Sequence, residues 1–286
     1  MKVKEYSSAR AFLDDYEPLL LKQESVSQMV LYSAYEYCKN SQGDNVVFGA
    51  VIDEEKTYLL FFNVLPYNMV VYNVDPDYVM QVSEVLAEYL GSNRILINGI
   101  YAKYDFCQSF IEEYKKYINC IFVEKMGMDI MEIRSVNEVN LVDGVHRRAQ
   151  LNEAKLAAEW IIEFQLEALA NELDYEAALQ RAIILINEGK MFFYENTANK
   201  VVSMAVAGRK LVHGVALTYV YTPEEHRGQG YAAANVYYLS KALLEQGFEF
   251  CTLFVDKKNP LSNRAYEKVG FNFVDDIYEY RVVSSD

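Results

Sequence analysis

The chain has 286 residues, 52% of them apolar and 14% aromatic, enough to bury the core of one large domain or two ordinary ones, and this excludes a disordered chain. A net charge of −14 speaks against nucleic acid and against an anionic membrane surface, because both are held by clustered Lys and Arg.

The N-terminal sequence M-K-V-K-E-Y-S-S-A-R has no apolar core of a signal peptide, and no apolar run approaches the roughly 18 residues of a membrane span. A cytoplasmic protein is the expectation. Cys38, Cys107, Cys120 and Cys251 lie far apart with no C-x-x-C pair, which predicts reduced, mostly buried thiols and no metal site.

Helical spacing of apolar residues predicts helices over Ser8–Leu21 and Glu24–Cys38. Strand-like runs follow at Val46–Ile52, Tyr58–Val64 and Met69–Val74. Asp75-Pro76 is a helix start, Val79, Val82, Leu86 and Leu90 share one helix face, and Gly91 is expected to close the element. A short strand at Ile95–Ile97, a helix at Tyr104–Tyr117 and one or two strands over Ile118–Ile133 complete the first half.

The second half repeats this order. Helices are predicted at Leu151–Ala170 and Asp174–Asn187, with Gly189 as terminator. Strands follow at Met191–Tyr194, Val201–Val206 and Val212–Tyr221. A helix with Ala232, Val236, Leu239 and Leu243 on one face ends at Gly247. Phe250–Val255 is a strand, Asn259-Pro260 starts a helix, and Phe271–Val283 is strand-rich. Two copies of one architecture are therefore expected, with domains at 1–130 and 131–286 and no floppy linker between them.

The chemistry concentrates at Val220 to Ala232, V-Y-T-P-E-E-H-R-G-Q-G-Y-A. A strand, a loop with Gly228 and Gly230, and an immediate helix start are the parts of a diphosphate cradle, since the helix N-terminus offers free N–H groups and partial positive charge. No Lys-Ser or Lys-Thr follows the glycines, which removes the nucleotide P-loop. A dinucleotide fold is weakened because Thr222–Arg227 separate strand from glycines and too little chain follows for a doubly wound sheet.

R-G-Q-G-Y-A (Arg227 to Ala232) fits [QR]-x-x-G-x-[GA], and N-P-L-S-N-R-A-Y-E-K-V-G-F (Asn259 to Phe271) follows at the matching distance. Together these stretches resemble the GNAT superfamily of N-acetyltransferases, specifically over about 212–273. They look closest to two-domain predicted acetyltransferases with a degenerate N-terminal copy.

The resemblance implies an α/β (α+β) fold of tandem GNAT-like domains, each a mixed, mostly antiparallel twisted sheet flanked by helices. It implies acetyl-CoA as co-substrate and no metal. Backbone at Val220, Tyr221 and Thr222 would lie along pantetheine. Arg227, Gly228, Gln229, Gly230, Tyr231 and Ala232 would hold the pyrophosphate, with Arg227 adding a cation. Asn259 and Asn263 would join the cofactor contacts, and Tyr266 matches the family's general acid.

The implied reaction is direct attack of an amine on the thioester, with backbone N–H groups stabilising the oxyanion where two strands splay. Tyr266 would protonate the departing thiolate. Glu163 and Glu167, at i and i+4 on one helix with Trp160 a turn earlier, are the candidates for binding a small-molecule or peptide-borne amine. The same residues also fit a solvated acidic helix face. His213 reads as an ordinary strand histidine, His226 lies in the loop, and His146 belongs to no motif. No general base is assigned.

The N-terminal copy reads Y-N-V-D-P-D-Y (Tyr72 to Tyr78) at the cradle position, without glycines and with two carboxylates that repel an anion. A rival reading is a catalytically idle acyl-CoA-binding protein. Aminoacyl transfer from tRNA is a third, disfavoured by the acidic charge. The sequence assigns neither the acceptor nor an oligomeric state.

Overall fold

Apolar alternation and helical periodicity resolve into two units in the computed structural model, which describes residues 1–39 and 46–283. One unit is Met1–Asp129 with Asp275–Asp286, and the other is Ile130–Val274. A single cut after residue 130 would leave the C-terminal strand with the second half. Its residues 275–283 instead fall in the first unit.

The first half runs β1 (Lys2–Glu5), α1 (Ala9–Leu20), α2 (Glu24–Lys39), β2 (Val46–Asp53), β3 (Lys56–Val64), β4 (Met69–Asn73), α3 (Val79–Ser92), β5 (Gly99–Ala102), α4 (Tyr104–Tyr114) and β6 (Ile121–Ile133). The second runs β7 (Gly144–Arg148), α5 (Ala154–Leu169), α6 (Tyr175–Asn187), β8 (Met191–Asn196), β9 (Val201–Lys210), β10 (Gly214–Tyr221), α7 (Tyr231–Glu245), β11 (Phe250–Asp256), α8 (Pro260–Val269) and β12 (Asn272–Val283). The order of strands and helices is the same in both halves.

In the first unit the strand order is β1-β2-β3-β4-β5-β12-β6. Only the β4–β5 pair among its registered neighbours is parallel. In the second unit the order is β6-β11-β10-β9-β8-β7, and among its registered neighbours only the β10–β11 pair is parallel. Each sheet is thus mixed and mostly antiparallel, with helices against it.

Alternation along β9 shows how the second sheet is covered. Met204 and Val206 pack with Trp160, Ile161, Ala178 and Leu185 of α5 and α6. Ala205 packs on the other face with Val236 and Leu239 of α7 and Val269 of α8. Period-two side chains on one strand therefore bind a helix pair on each face. In the first unit Leu59 and Phe61 meet Leu86, Phe106 and Phe110. Leu60 and Phe62 meet Phe12, Leu20 and Leu31 on the opposite face.

Several boundaries differ from those expected. Gly91 does not end α3. It lies buried within the helix, where a Cβ would stand 2.2 Å from the Cβ of Tyr117, so its role is close packing. The strand expected at Ile95–Ile97 forms at Gly99–Ala102, because the Ile95 N–H still bonds to the Leu90 carbonyl at 2.8 Å. The strand expected from Val212 begins at Gly214, leaving His213 exposed before it. Strands β1 and β7 were not anticipated. Both are short, charged edge strands without an apolar alternation to read. Arg147 on β7 shows what its charges do, binding Glu153 through both Nη atoms at 2.9 and 2.8 Å and Glu195 through Nε at 2.7 Å.

Candidate active site

The second unit opens between β10 and β11. Their parallel register spans Gly214–Ala216 against Phe250–Thr252, while β10 runs on to Tyr221 and β11 to Asp256. On its other side β10 remains paired with β9 but shifts register between Thr218 and Tyr221. Tyr219, inside that bulge, has φ +48°. A bulky residue in the left-handed region is strained, and a bulge leaves backbone groups outside the ladder. The strand is therefore bent where it parts from its parallel neighbour.

The cradle loop follows. After Tyr221 the chain makes a short turn at Glu224–His226, then passes Gly228 (φ +75°) and Gly230 (φ +87°) into α7. No side chain caps α7, and its first turn precedes the Ala234 N–H, which bonds to the Gly230 carbonyl at 3.0 Å. The N–H groups of Tyr231, Ala232 and Ala233 thus have no partner within the helix. A Cβ built on Gly228 or Gly230 would meet nothing within 4 Å. Left-handed backbone requires glycine here, and the open space beyond it admits a ligand. This donor set fits a diphosphate.

Arg227 is already engaged within the chain. Its Nε donates to the Thr222 carbonyl at 2.9 Å, and its Nη2 pairs with Glu167 Oε2 at 2.5 Å. Its guanidinium also stands 5.7 Å from the Tyr221 ring centre. Tyr221 in turn donates to Glu167 Oε1 at 3.2 Å. Burial, and then hydrogen bonding with Glu163, push the Tyr221 phenol above its ordinary value. Trp160 packs on the same ring at 6.1 Å, buried in the core. So Trp160, Glu163, Glu167, Tyr221, Thr222 and Arg227 come together, joining α5 to the loop.

Asn259, Asn263 and Tyr266 sit on or before α8. Asn259 caps that helix, its side chain accepting from the Ser262 N–H at 3.2 Å. Asn263 bonds through its own N–H to the Asn259 carbonyl at 3.3 Å. Tyr266 is buried against Phe271 and shares a cluster with Val220 and Ala233, which brings it to the β10–α7 side. Burial pushes its phenol up, a hydrogen bond with Ser262 acting the other way. The phenol is therefore protonated at neutral pH.

Of the histidines, His226 stacks edge-on against Tyr231 at 6.4 Å. His146 on β7 bonds through Nδ1 to Asn235 Oδ1 at 2.9 Å. Asn235 and Ser203, which join it, were not anticipated from the sequence. A polar residue in an apolar strand or on an apolar helix face was the available signal. Cys107, Cys120 and Cys251 are buried, Cys38 is exposed, and all four are free. No helix of the described residues is long and apolar enough to cross a membrane.

In the first unit, the matching helix start carries Asp75, which accepts from the Asp77 N–H at 3.1 Å and pairs with Lys56 Nζ at 2.9 Å. Lys56 also lies over the Tyr58 and Tyr78 rings, at 4.6 and 4.8 Å. A carboxylate stands here where the second unit leaves open N–H groups.

Residues 156–271 match the model of the acetyltransferase (GNAT) family. A GCN5-related N-acetyltransferase from Sphaerobacter thermophilus has a similar structure, with a TM-score of 0.62 and 14% identity, covering 97% of this chain and 93% of that one. A GNAT-family acetyltransferase from Colwellia psychrerythraea gives 0.55 and 13%, covering 99% and 100%. At such identities the likeness is one of fold. No curated protein matches the chain.

Proposed function

We propose that the second unit transfers an acetyl group from acetyl-CoA to a primary amine by direct attack. One observation carries the reading: a parallel strand pair that parts after Ala216 and Thr252 ends beside an uncapped helix start behind two left-handed glycines. The family match over residues 156–271 supports it. Acetyl-CoA supplies an activated thioester.

The chain's own groups divide the work. Backbone from Val220 to Thr222 would line the thiol arm. The N–H groups from Arg227 to Ala232, with Gln229 and Tyr231 among them, would hold the diphosphate. Backbone N–H groups around the Tyr219 bulge would stabilise oxyanion charge in the opening. Tyr266, protonated at neutral pH, would give its proton to the departing sulfur, with Asn259 and Asn263 preceding it at the cap and first turn of α8.

Glu163 and Glu167 are exposed carboxylates beside Tyr221 and would attract a cationic amine. An alkylamine of pKa about 10.4 is neutral about once in 10³ to 10⁴ molecules at pH 7, so proton removal is part of the task. The acceptor is a small molecule or a peptide, the setting the cytoplasm, and nucleic acid no partner. The first unit, with the same element order but Asp75 at its cradle position, is a tandem copy that has lost cofactor binding.

Calorimetric titration with CoA, followed by thiol release from acetyl-CoA across an amine panel, tests the reading. Binding with amine-dependent release is expected. Binding without release for any amine would favour the idle acyl-CoA-binding protein, and absence of binding would overturn both.

A further inference from the structure

Beneath the opening runs a buried polar chain that packing alone does not require. Ser203 on β9 is fully buried between Val202 and Met204, where an apolar residue would serve the core. Its Oγ donates to the Tyr221 carbonyl at 3.2 Å. Asn235 on α7, also fully buried, donates from Nδ2 to Ser203 Oγ at 3.4 Å. Its Oδ1 accepts from His146 Nδ1 at 2.9 Å, which fixes the proton on that nitrogen.

The carbonyl at the end of this chain belongs to the residue that closes the β10 bulge. A residue such as Tyr219, at φ +48°, holds its conformation only where the surroundings determine it on several sides. On one side Phe164 packs edge-on against the Tyr219 ring at 5.2 Å, and Gln165 Nε2 donates to its hydroxyl at 3.4 Å. On the other, Ser203 fixes the strand two residues later. Asn235, one turn inside α7, then ties that strand end to the helix whose first turn offers the free N–H groups. The strand and the helix are the two walls of the cradle, and their separation decides whether one ligand can reach both.

We propose that Ser203, Asn235 and His146 are positioning residues that set the distance between the end of β10 and the start of α7 for CoA binding. Each would act through the backbone and not by contact with the cofactor. The proposal rests on the function given above. It predicts a graded loss of affinity, largest at Ser203 and smaller at His146, without loss of the fold.

The test is calorimetric CoA affinity beside thermal stability. Ser203→Ala is expected to weaken CoA binding by about fivefold, the worth of one buried hydrogen bond. Ser240→Ala is the control: Ser240 is as buried as Ser203 and lies on α7 with Asn235, and among the described residues no hydrogen bond joins its Oγ to β10. It should stay within about twofold of the parent protein. His146→Leu should weaken binding and His146→Asn, which restores an N–H donor near Nδ1, should recover it. Ser203→Cys, of similar volume and weak as a donor, replaces Ser203→Ala if that variant does not fold. Ser203 variants that bind like the parent, or a Ser240 variant that loses as much, would overturn the proposal. A parent chain that fails to bind CoA would instead remove the functional reading itself, and the proposal with it.

Discussion

Arg227 divides its guanidinium between the Thr222 carbonyl and Glu167, both at the rim of the opening. The pair is nearly half exposed on each side, so water screens it and it adds little stability. On the proposed function, a diphosphate would draw Arg227 away at small cost and free the Glu167 carboxylate. His146 is a different case, because burial lowers its pKa below the ordinary 6.5, the Asn235 bond opposing only in part. The folded chain then holds this proton less tightly than the unfolded chain. Its contribution to stability is complete above about pH 6.5 and is lost as pH falls through the folded value. Melting temperatures of the parent and of His146→Asn, measured from pH 7.5 to 5, should show the parent losing more on acidification. Parallel curves would mean that His146 takes up its acid proton as readily in the fold as outside it.

At the scale of elements, the start of α7 separates stability from binding. Gly230→Ala places a Cβ in empty space but forces φ +87° on a residue that resists it. The fold should lose about 1 kcal/mol, as for other left-handed positions. CoA affinity should fall by more, about a hundredfold or about 2.7 kcal/mol, because the added methyl stands where the diphosphate would approach. Denaturant melts and titration calorimetry measure the two. Equal small losses in both would mean that the loop is only a turn. Much of this element was legible: the glycine pair, the helix start and the Asn259 cap all rest on local chemistry that a sequence displays. The clasp of Arg227 on Glu167 and the Ser203–Asn235–His146 chain were not, because each joins residues far apart in sequence. Strand β7 was missed for a related reason: its arginines are satisfied by Glu153 and Glu195, partners that local pattern does not show.

At the scale of the whole chain, the C-terminal strand reports on the first unit and not on the unit that precedes it in sequence. Residues Tyr278–Arg281 of β12 pair antiparallel with Gly99–Ala102 of β5. Tyr280 is buried with Phe106, Cys107 and Phe110. Its hydroxyl donates to Glu124 at 2.7 Å and accepts from Gln108 at 2.7 Å. Tyr280→Ala removes a buried ring and strands two polar groups, a change expected to cost about 3–5 kcal/mol. A chain of two units need not melt in one step, so a single midpoint would not locate the damage. Hydrogen exchange resolved by segment would. Residues 99–102 and 104–114 should lose protection in the variant, while 214–221 and 231–245 keep theirs and CoA affinity stays within about twofold. Loss centred on 231–245 would place the C-terminal strand energetically with the second half, and a cut after residue 130 would then describe the chain better than its contacts do.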